Sequence, residues 1–527
     1  MIETNPVIGA GREISVPSPA LVERKAADLA RVREIPRVYA SCLVLFVILS
    51  RWLVAPAYLY YFDSANFALA LEEFNPALHQ PQPPGYPFFV ALTRVIHFFM
   101  SDAQQVMLVA GLVGGIAALI VLYHLAAAMF DRNAGILASA LLASDPVFWF
   151  GGVTNEIRVF LALGMASICL AAWKALEAPG RTARLYILFG VIGLAAGFRP
   201  VEMWLLVPLA LWVWWRSSGS AATLFRAGLV LAAATLPWLG FVVWRAGGPR
   251  VFAEILAGYT TSQFQDSSAL FGARAGAAGN MFLKAVTWTA MGSAVWIWAL
   301  PFIRLRPDHA NQARKRFLFV AIALLPTFLF AALIHVGDPD QTLAGVTLLS
   351  LIGGAVMGRL LNACSMARVY TAAALLTVAH ASDFYHPRFH LGEMASYGFV
   401  RTIDRLTTEN IQAIASLQQH GQATIIHGGS PLSFRQIAYY FPDQYVVALG
   451  TQPGESSFTF FRHRQVPAPK EAAAWIGPET RQLIYLPPRG FSADGLPGWR
   501  RIGPVFVLDA VPQDRVRIGG QTLIWYQ

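Results

Sequence analysis

Charged residues are scarce in this sequence, and their scarcity excludes a soluble protein of ordinary composition. Asp, Glu, Lys and Arg make up 13% of the 527 residues, whereas soluble domains usually carry about 25%. Hydrophobic residues make up 56%, and a single soluble core stops growing at about 250–300 residues. The apolar residues come in runs of roughly 18–25, enough to cross a bilayer as helices. The composition therefore predicts an integral membrane protein.

Cysteine is also scarce, with three residues, Cys42, Cys169 and Cys364. They lie far apart in the sequence and form no CxxC pair or metal-type spacing, so we expect no disulfide framework. No internal repeat is apparent. The polar and charged first ~35 residues do not resemble a cleavable signal peptide, so we expect the first span to be an uncleaved anchor.

The basic residues set the predicted topology. The net charge is +10, and the basic residues cluster in the N-terminal tail and in short loops, most densely from Arg304 to Arg316. Basic loops stay in the cytoplasm. This bias favours about eleven spans with the N-terminus inside, because counting 88–100 as a further full span would put most basic loops outside. We therefore read 88–100 as a helix that lies along the interface.

The predicted domains follow from this count. Residues 1–37 form a cytoplasmic tail, 38–382 an all-α polytopic membrane domain with a first outer loop at 57–102, and 383–527 a small α/β domain outside the membrane. The predicted spans are about 38–56, 103–130, 134–150, 157–175, 184–198, 201–215, 222–244, 283–303, 317–335, 341–358 and 369–382. A polar loop is expected at 245–282, and its segment from Tyr259 to Asp266 as a mobile flap.

The last ~140 residues have shorter apolar runs that alternate between strand and helix patterns, which predicts an α/β domain. HGGS at 427–430 does not fit a phosphate loop and is read as a turn. The predicted elements are helices at 403–420 and 432–441 and strands at 423–429, 445–450, 481–487 and 522–527.

Ionisable residues gather at the predicted outer ends of several spans, where charges are costly and usually functional. We expect them to converge on one cavity at the outer face. They are Asp63, Glu72, Glu73, His79, Asp145, Glu156, Arg158, Arg199, Glu202, His335, Asp338 and Asp340.

Asp63 is the most informative of these residues. It follows the first span in YYFDSANFALALEEF, where a carboxylate could act as a general base toward an acceptor hydroxyl or orient a metal. It could equally cap the helix that the pattern predicts after it. The residue type leaves these roles open.

Several segments together resemble the GT-C glycosyltransferases, in particular the protein O-mannosyltransferase and aminoarabinose transferase branch (family 39-type). The resemblance covers about residues 38–360 and rests on the order of the motifs, since each alone is weak. The motifs are the loop with Asp63, PPGYP at 83–87, DPVFWFGG at 145–152, GLAAGFRP at 193–200 and LIHVGDPDQ at 333–341.

The resemblance implies a GT-C fold and inverting transfer of a sugar from a polyprenyl-phosphate donor at the outer face of the membrane. Asp63 matches the catalytic Asp of the family, and Arg199 matches the cation that holds the lipid phosphate, with Arg158 as a second candidate. A guanidinium suits phosphate because it is always charged and can bind bidentately. Arg199 could instead snorkel to the interface or pair structurally with Glu202. The other residues expected in the substrate cavity are His79, Gln82, Tyr86, Glu156, Glu202 and His335.

The sequence departs from the family pattern at three places. Ser64 follows Asp63 where many relatives have Glu, which weakens the case for an acidic pair. Glu156 lies further from the preceding glycines than the usual acid, and GDPD at 337–340 replaces a Gly-Tyr. For Asp338 and Asp340 we favour a solvated turn over metal ligands or substrate contacts.

The sequence leaves the cofactor open: a divalent metal could be held if Asp63, Glu156 and His335 meet, with His79 as a further candidate ligand. The expected partners are the polyprenyl-phosphate sugar, a lipid, glycan or protein acceptor, and membrane lipids, without nucleic acid. The expected location is the inner membrane of the cell, with a periplasmic C-terminal domain. A secondary transporter and a non-catalytic assembly or binding protein remain the alternatives.

Overall fold

The structure is a computed structural model, and it describes residues 35–525 except 155, 266, 273, 304–309, 418–421, 451–456, 467–473, 489, 492–497, 510–514 and 519–520. The side chain of Glu202 is also outside the description, although its backbone is described. Most of the predicted N-terminal tail, Arg304, Arg306 and Asp266 therefore lie outside the described residues.

Helices dominate the first three quarters of the described chain, and several short 3₁₀ turns lie between them. In chain order the α-helices are α1 (Arg37–Trp52), α2 (Phe62–Glu72), α3 (Pro87–His97), α4 (Ala103–Met129), α5 (Arg132–Ser144), α6 (Pro146–Thr154), α7 (Val159–Leu176), α8 (Thr182–Ala196), α9 (Pro200–Trp204), α10 (Val207–Ser217), α11 (Ala221–Arg245), α12 (Pro249–Phe264), α13 (Ala275–Ala290), α14 (Ala310–Leu333), α15 (Leu343–Leu360), α16 (Met366–Tyr385), α17 (Tyr397–Leu417) and α18 (Phe434–Tyr440).

Five helices of the described chain are long and apolar enough to cross a membrane, or six if α5 and α6, which are bent by 54°, are one span. The predicted count of about eleven is therefore not confirmed. Several predicted spans are helical but short, because prolines divide them: Pro200 and Pro208 interrupt the stretch from α8 to α10. The predicted eighth span is broken as well, since α13 ends at Ala290 and 3₁₀ turns follow.

The predicted polar loop at 245–282 is wrong in part, because α12 and the start of α13 lie within it. Gly248 has φ +112°, and Pro249 begins α12 directly after it. Proline suits the first position of a helix because its missing N–H would have no helical partner there. The predicted flap from Tyr259 is thus largely helical.

Small residues let the central helices approach closely. Helix α15 packs along α5, and α4 packs along α7. At Gly354 of α15, an added Cβ would lie 2.5 Å from the Cβ of Ala138 and 2.6 Å from the carbonyl oxygen of Ala134. Close backbone approach of this kind is typical of helix pairs in membranes, where dispersion rather than hydrophobic burial holds helices together.

A C-terminal α/β unit follows the helical part, as the sequence predicts. Its larger sheet has the order β4-β3-β2-β1-β6-β8-β7, with β2, β1 and β6 parallel at the centre, and its smaller sheet has the order β5-β10-β9. The buried strands pack against α17 and α18 to form the core of this unit. The strands are β1 (Ala423–His427), β2 (Tyr445–Ala448), β3 (Phe458–Phe461), β4 (Arg464–Val466), β5 (Ala474–Ile476), β6 (Gln482–Leu486), β7 (Arg500–Ile502), β8 (Val505–Asp509), β9 (Arg515–Ile518) and β10 (Gln521–Trp525).

Helix α18 packs against α2 where the two parts meet. Ser433 and Gln436 form a capping box at the start of α18, which satisfies two backbone donors that a helix start leaves without partners. This short helix therefore has a fixed N-terminus where it meets the first loop.

Candidate active site

A cavity of about 840 Å³ lies between the first loop, the α8–α9 junction, α12 and the turn before α15. Seven of the nine predicted site residues line it. They are Asp63, His79, Gln82, Tyr86, Arg158, Arg199 and His335. Residues distant in sequence thus meet around one space large enough for a small-molecule substrate.

Asp63 lies in the first turn of α2, one residue inside the helix, and is not its N-cap. The N-cap is Tyr61, which makes no side-chain capping bond, so the capping interpretation is wrong. The positive end of the helix dipole favours a carboxylate at this position. The Asp63 side chain is 26% exposed, which leaves the carboxylate accessible from the cavity.

Arg158 faces two carboxylates. Its Nη2 lies 3.6 Å from Asp63 Oδ2, and its Nε lies 3.8 Å from Asp340 Oδ1. Both distances exceed those of hydrogen bonds, so these contacts are ion pairs. The side chains of Arg158 and Asp340 are 7% and 0% exposed, and the low dielectric of such a site strengthens the attraction.

The segment with Asp338 and Asp340 is not a solvated turn, which corrects the prediction. Asp340 is buried against the backbone of Gly151, where an added Cβ would lie 2.9 Å from the Asp340 Cβ. Asp338 lines the cavity, and the Tyr61 hydroxyl donates to its Oδ1 at 3.3 Å. Burial raises the pKa of Asp338, and the Arg158 guanidinium opposes that effect. The aspartates extend the acidic character of the site around Asp63.

Arg199 is the last of the three residues between α8 and α9 and caps the start of α9, and it is 6% exposed. Its guanidinium carbon lies 5.2 Å from the centre of the Tyr86 ring, within the range of a cation–π contact. The side chain is thus held inside the protein beside the cavity and does not snorkel to an outer interface.

His79 lines the same cavity, directly after the short 3₁₀ turn Pro76–Leu78. Its ring centre is 6.1 Å from that of Tyr259 on α12. Burial and then the Arg435 guanidinium lower the pKa of His79 to about 4. The imidazole is therefore neutral at neutral pH and adds no positive charge to the cavity.

Gln82 and Tyr86 reach the cavity through a tight turn. Gly85 has φ +111°, which favours glycine, and an added Cβ would make a tight contact of 3.0 Å with Val242 Cγ1. His335 lines the cavity near Gly337, and its Nδ1 lies 3.4 Å from Ser267 Oγ.

Glu156 does not line the cavity, and the predicted metal ligands do not come together there. Glu156 is buried against Gly111 of α4, where an added Cβ would lie 2.9 Å from the Glu156 Cβ, and it is not among the lining residues. Within the described ranges, no three His, Cys, Asp or Glu side chains group so that they could hold a metal ion. The candidates Asp63, Glu156 and His335 therefore do not form a shared ligand set there. The Glu202 side chain lies outside the described residues.

The sequence did not reveal the apolar wall of the cavity. Trp204, Trp238, Phe252, Leu256 and Phe264 line it together with Tyr61 and Gln341. Aromatic residues in apolar helices carry no sequence signal that separates a cavity wall from a lipid contact. The mixture suits a ligand with a charged group and an apolar portion.

Comparison with known proteins supports the predicted resemblance. A family model described as dolichyl-phosphate-mannose-protein mannosyltransferase matches residues 81–244, and no curated protein matches the chain. The structure is similar to ArnT from Cupriavidus metallidurans in the apo state, with TM-score 0.54, 13% identity, and coverage of 78% of this chain and 85% of that chain. For the same protein bound to undecaprenyl phosphate the TM-score is 0.50, the identity 14% and the coverage again 78% and 85%.

A weaker likeness is to an Archaeoglobus fulgidus oligosaccharyltransferase tethered with an acceptor peptide, with TM-score 0.40, 13% identity, and coverage of 76% of this chain and 62% of that chain. The family match and the fold shared with ArnT confirm the predicted resemblance to the GT-C class. They indicate a glycosyltransferase built as a multi-pass membrane protein.

Proposed function

We propose that the protein transfers a sugar from a polyprenyl-phosphate donor to a lipid, glycan or protein acceptor at the outer face of the membrane, with inversion at the sugar carbon. Asp63 is the general base. Arg199 and Arg158 bind the phosphate of the donor. The N-terminus lies in the cytoplasm, and the C-terminal domain lies on the outer side, periplasmic where the cell has an inner membrane.

One observation carries this proposal: a partly exposed carboxylate and two buried guanidinium groups line the same cavity. A base for an acceptor hydroxyl and cations for a leaving phosphate are the groups that such a displacement needs. The aromatic wall formed by Trp204, Trp238 and Phe264 adds an apolar surface beside them.

The reaction balances without a further reactant. The acceptor oxygen attacks the anomeric carbon of the sugar, and its proton passes to the Asp63 carboxylate. The bond between that carbon and the phosphate oxygen breaks, and its electron pair leaves with the lipid phosphate. The extra negative charge on the phosphate is stabilised by Arg199 and Arg158, since guanidinium groups bind phosphate oxygens bidentately.

The outer sidedness rests on the distribution of basic residues. Lys174 lies in the last turn of α7, opposite to the end that Arg158 caps, and Arg359 lies in the last turn of α15, opposite to the end that Asp340 precedes. The cavity and the basic ends therefore belong to opposite faces of the helical part.

The test uses purified protein, a labelled polyprenyl-phosphate sugar and a panel of lipid, glycan and protein acceptors. We expect Asp63→Asn to lower kcat by about 10²- to 10⁴-fold, the usual contribution of a general base. Asp102→Asn is the matched control: Asp102 caps α4 through Gln105 N–H, and asparagine caps equally well.

Arg199→Ala should weaken donor binding, and it should do so more than Arg199→Lys, which keeps the charge but loses the planar fork. Transfer by Asp63→Asn at the wild-type rate would refute the base assignment. Uptake of the labelled donor into vesicles without any product would favour a secondary transporter instead.

A further inference from the structure

Helix α18 of the C-terminal unit binds the backbone that leads into the proposed base. The Gln436 side-chain amide donates to the carbonyl oxygen of Leu59 at 2.5 Å and to that of Tyr60 at 3.4 Å. The Leu59 N–H in turn donates to the Tyr440 hydroxyl at 2.8 Å. Both backbone polar groups of Leu59 are thus satisfied by one short helix.

A second contact holds the far end of the same loop. Arg435 Nη2 donates to the carbonyl oxygen of Leu78 at 2.9 Å, and the next residue is His79 on the cavity wall. Arg435 is 5% exposed, and its guanidinium carbon lies 4.7 Å from the centre of the Phe460 ring. Adjacent residues of α18 therefore hold the two ends of the segment that contains α2.

Ring contacts follow the same path. Phe62 packs against Phe434 at a centroid distance of 5.3 Å, and Tyr58 packs against Tyr440 at 5.3 Å. Leu59 and Tyr60 are 0% and 3% exposed, so water is not at hand to replace these hydrogen bonds. A buried carbonyl that loses its hydrogen-bond partner destabilises the structure, so the position of the loop depends on α18.

We propose that α18 is a positioning element for the active site, with Gln436 as the positioning residue for Asp63 and Arg435 for His79. The inference rests on the proposed function, because it assigns Gln436 an effect on the base. Asp63 lies three residues after Tyr60, in the first turn of α2, so a movement of the Tyr60 carbonyl moves the start of that helix. A misplacement of about 1 Å can cost about 10²-fold in rate.

Gln436→Glu tests the contact sharply. Gln436 Oε1 accepts from the Ser433 N–H at 2.8 Å, and a glutamate keeps this capping acceptor. The variant loses the amide donor to the first loop and places a carboxylate oxygen beside the Leu59 carbonyl oxygen. Gln444→Glu is the matched control, because Gln444 Oε1 accepts from the Ala423 N–H at 2.6 Å inside the C-terminal unit.

We expect Gln436→Glu to lower kcat by about 10- to 100-fold while the KM for the donor stays within about twofold. Gln444→Glu should leave both constants unchanged. The activity of Gln436→Glu relative to wild type should rise as the pH falls, because the introduced carboxyl then takes up a proton and regains a donor. A defect that does not depend on the introduced carboxyl would show no such recovery.

Hydrogen–deuterium exchange of residues 57–66 gives a readout that needs no activity. Exchange should be faster in Gln436→Glu than in wild type and in Gln444→Glu. Unchanged exchange, or faster exchange with an unchanged kcat, would overturn the positioning role. Normal transfer by Asp63→Asn would instead overturn the base assignment, and the exchange result would still decide whether α18 holds the loop.

Tyr440→Phe is a second variant for the case in which Gln436→Glu does not fold. It keeps the ring contact with Tyr58 and loses the acceptor for the Leu59 N–H. We expect a severalfold smaller kcat and faster exchange at residues 57–66, and wild-type behaviour in both would contradict the proposal.

Discussion

Replacing Arg158 by methionine should destabilise the protein strongly, because Arg158 is the cation between two carboxylates. At 3.6 and 3.8 Å, an effective dielectric constant of about 20 gives an attraction of about 4–5 kcal/mol for each pair. Asp63 is 26% exposed and Asp340 is 0% exposed, so solvent screens the first pair far more than the second. Removing Arg158 therefore destabilises mainly the buried Asp340 carboxylate.

Removing one partner of a buried ion pair typically costs about 3–5 kcal/mol, because the other charge stays buried without compensation. We expect a cost of this size for Arg158→Met. The double variant Arg158→Met/Asp340→Asn should recover about 2 kcal/mol of it, since the carboxylate that lacks compensation is then neutral. Coupling of this order is usual for residues in contact.

The assay is thermal unfolding of the purified variants in one detergent, at one pH and one heating rate, with wild type and both single variants alongside. Arg158→Met should unfold at a lower temperature than the double variant. If Arg158→Met is as stable as wild type, or if the double variant is no more stable than Arg158→Met, the electrostatic reasoning is wrong. Transfer activity should be low in both, because Arg158 lines the cavity.

Two further predictions concern the first loop. The pKa of His79 is about 4 in the folded protein, below about 6.5 for an unfolded histidine, so the unfolded chain takes up the proton first. The stability of the folded protein should therefore fall as the pH is lowered from 6.5 to 4. His79→Gln should reduce the slope of melting temperature against pH in this range. Parallel curves for wild type and His79→Gln would contradict this prediction. Gly85→Ala should cost about 1–3 kcal/mol, because φ is +111° and Val242 is 3.0 Å from the added Cβ. Gly228→Ala lies in the interior of α11 with nothing within 4 Å of the added Cβ, so it should be neutral or slightly stabilising in the same melting experiment, and equal losses would contradict the argument.

Polar residues were the part of the site that the sequence could reveal. An ionisable side chain in an apolar run is costly and needs a reason, which placed Asp63, Arg158 and Arg199 among the twelve candidate residues before any geometry was known. The same argument selected Glu156, which packs against α4 and does not line the cavity. The energetic cost of an ionisable side chain in an apolar run identifies unusual residues. Only the fold determines which of them face the same cavity.

The turn before α15 illustrates the opposite error. GDPD reads as a solvated turn because Gly, Asp and Pro favour turns, yet Asp340 is fully buried. Its partner Arg158 is far away in sequence, and no local pattern encodes that pairing. Several helices are shorter than the predicted spans for a related reason. A proline within an apolar run divides a helix without changing the composition of the run, as Pro208 does at the start of α10.

The contact between Leu59 and Gln436 spans 377 residues of chain. Ribosomes add about 5–20 residues per second, so the first loop waits roughly 20–75 seconds for the helix that holds it. Throughout that time the membrane helices can insert and pack, while the segment that carries Asp63 has no C-terminal partner. Synthesis thus imposes an order on assembly, in which the lipid-embedded part matures first and the cavity is completed last.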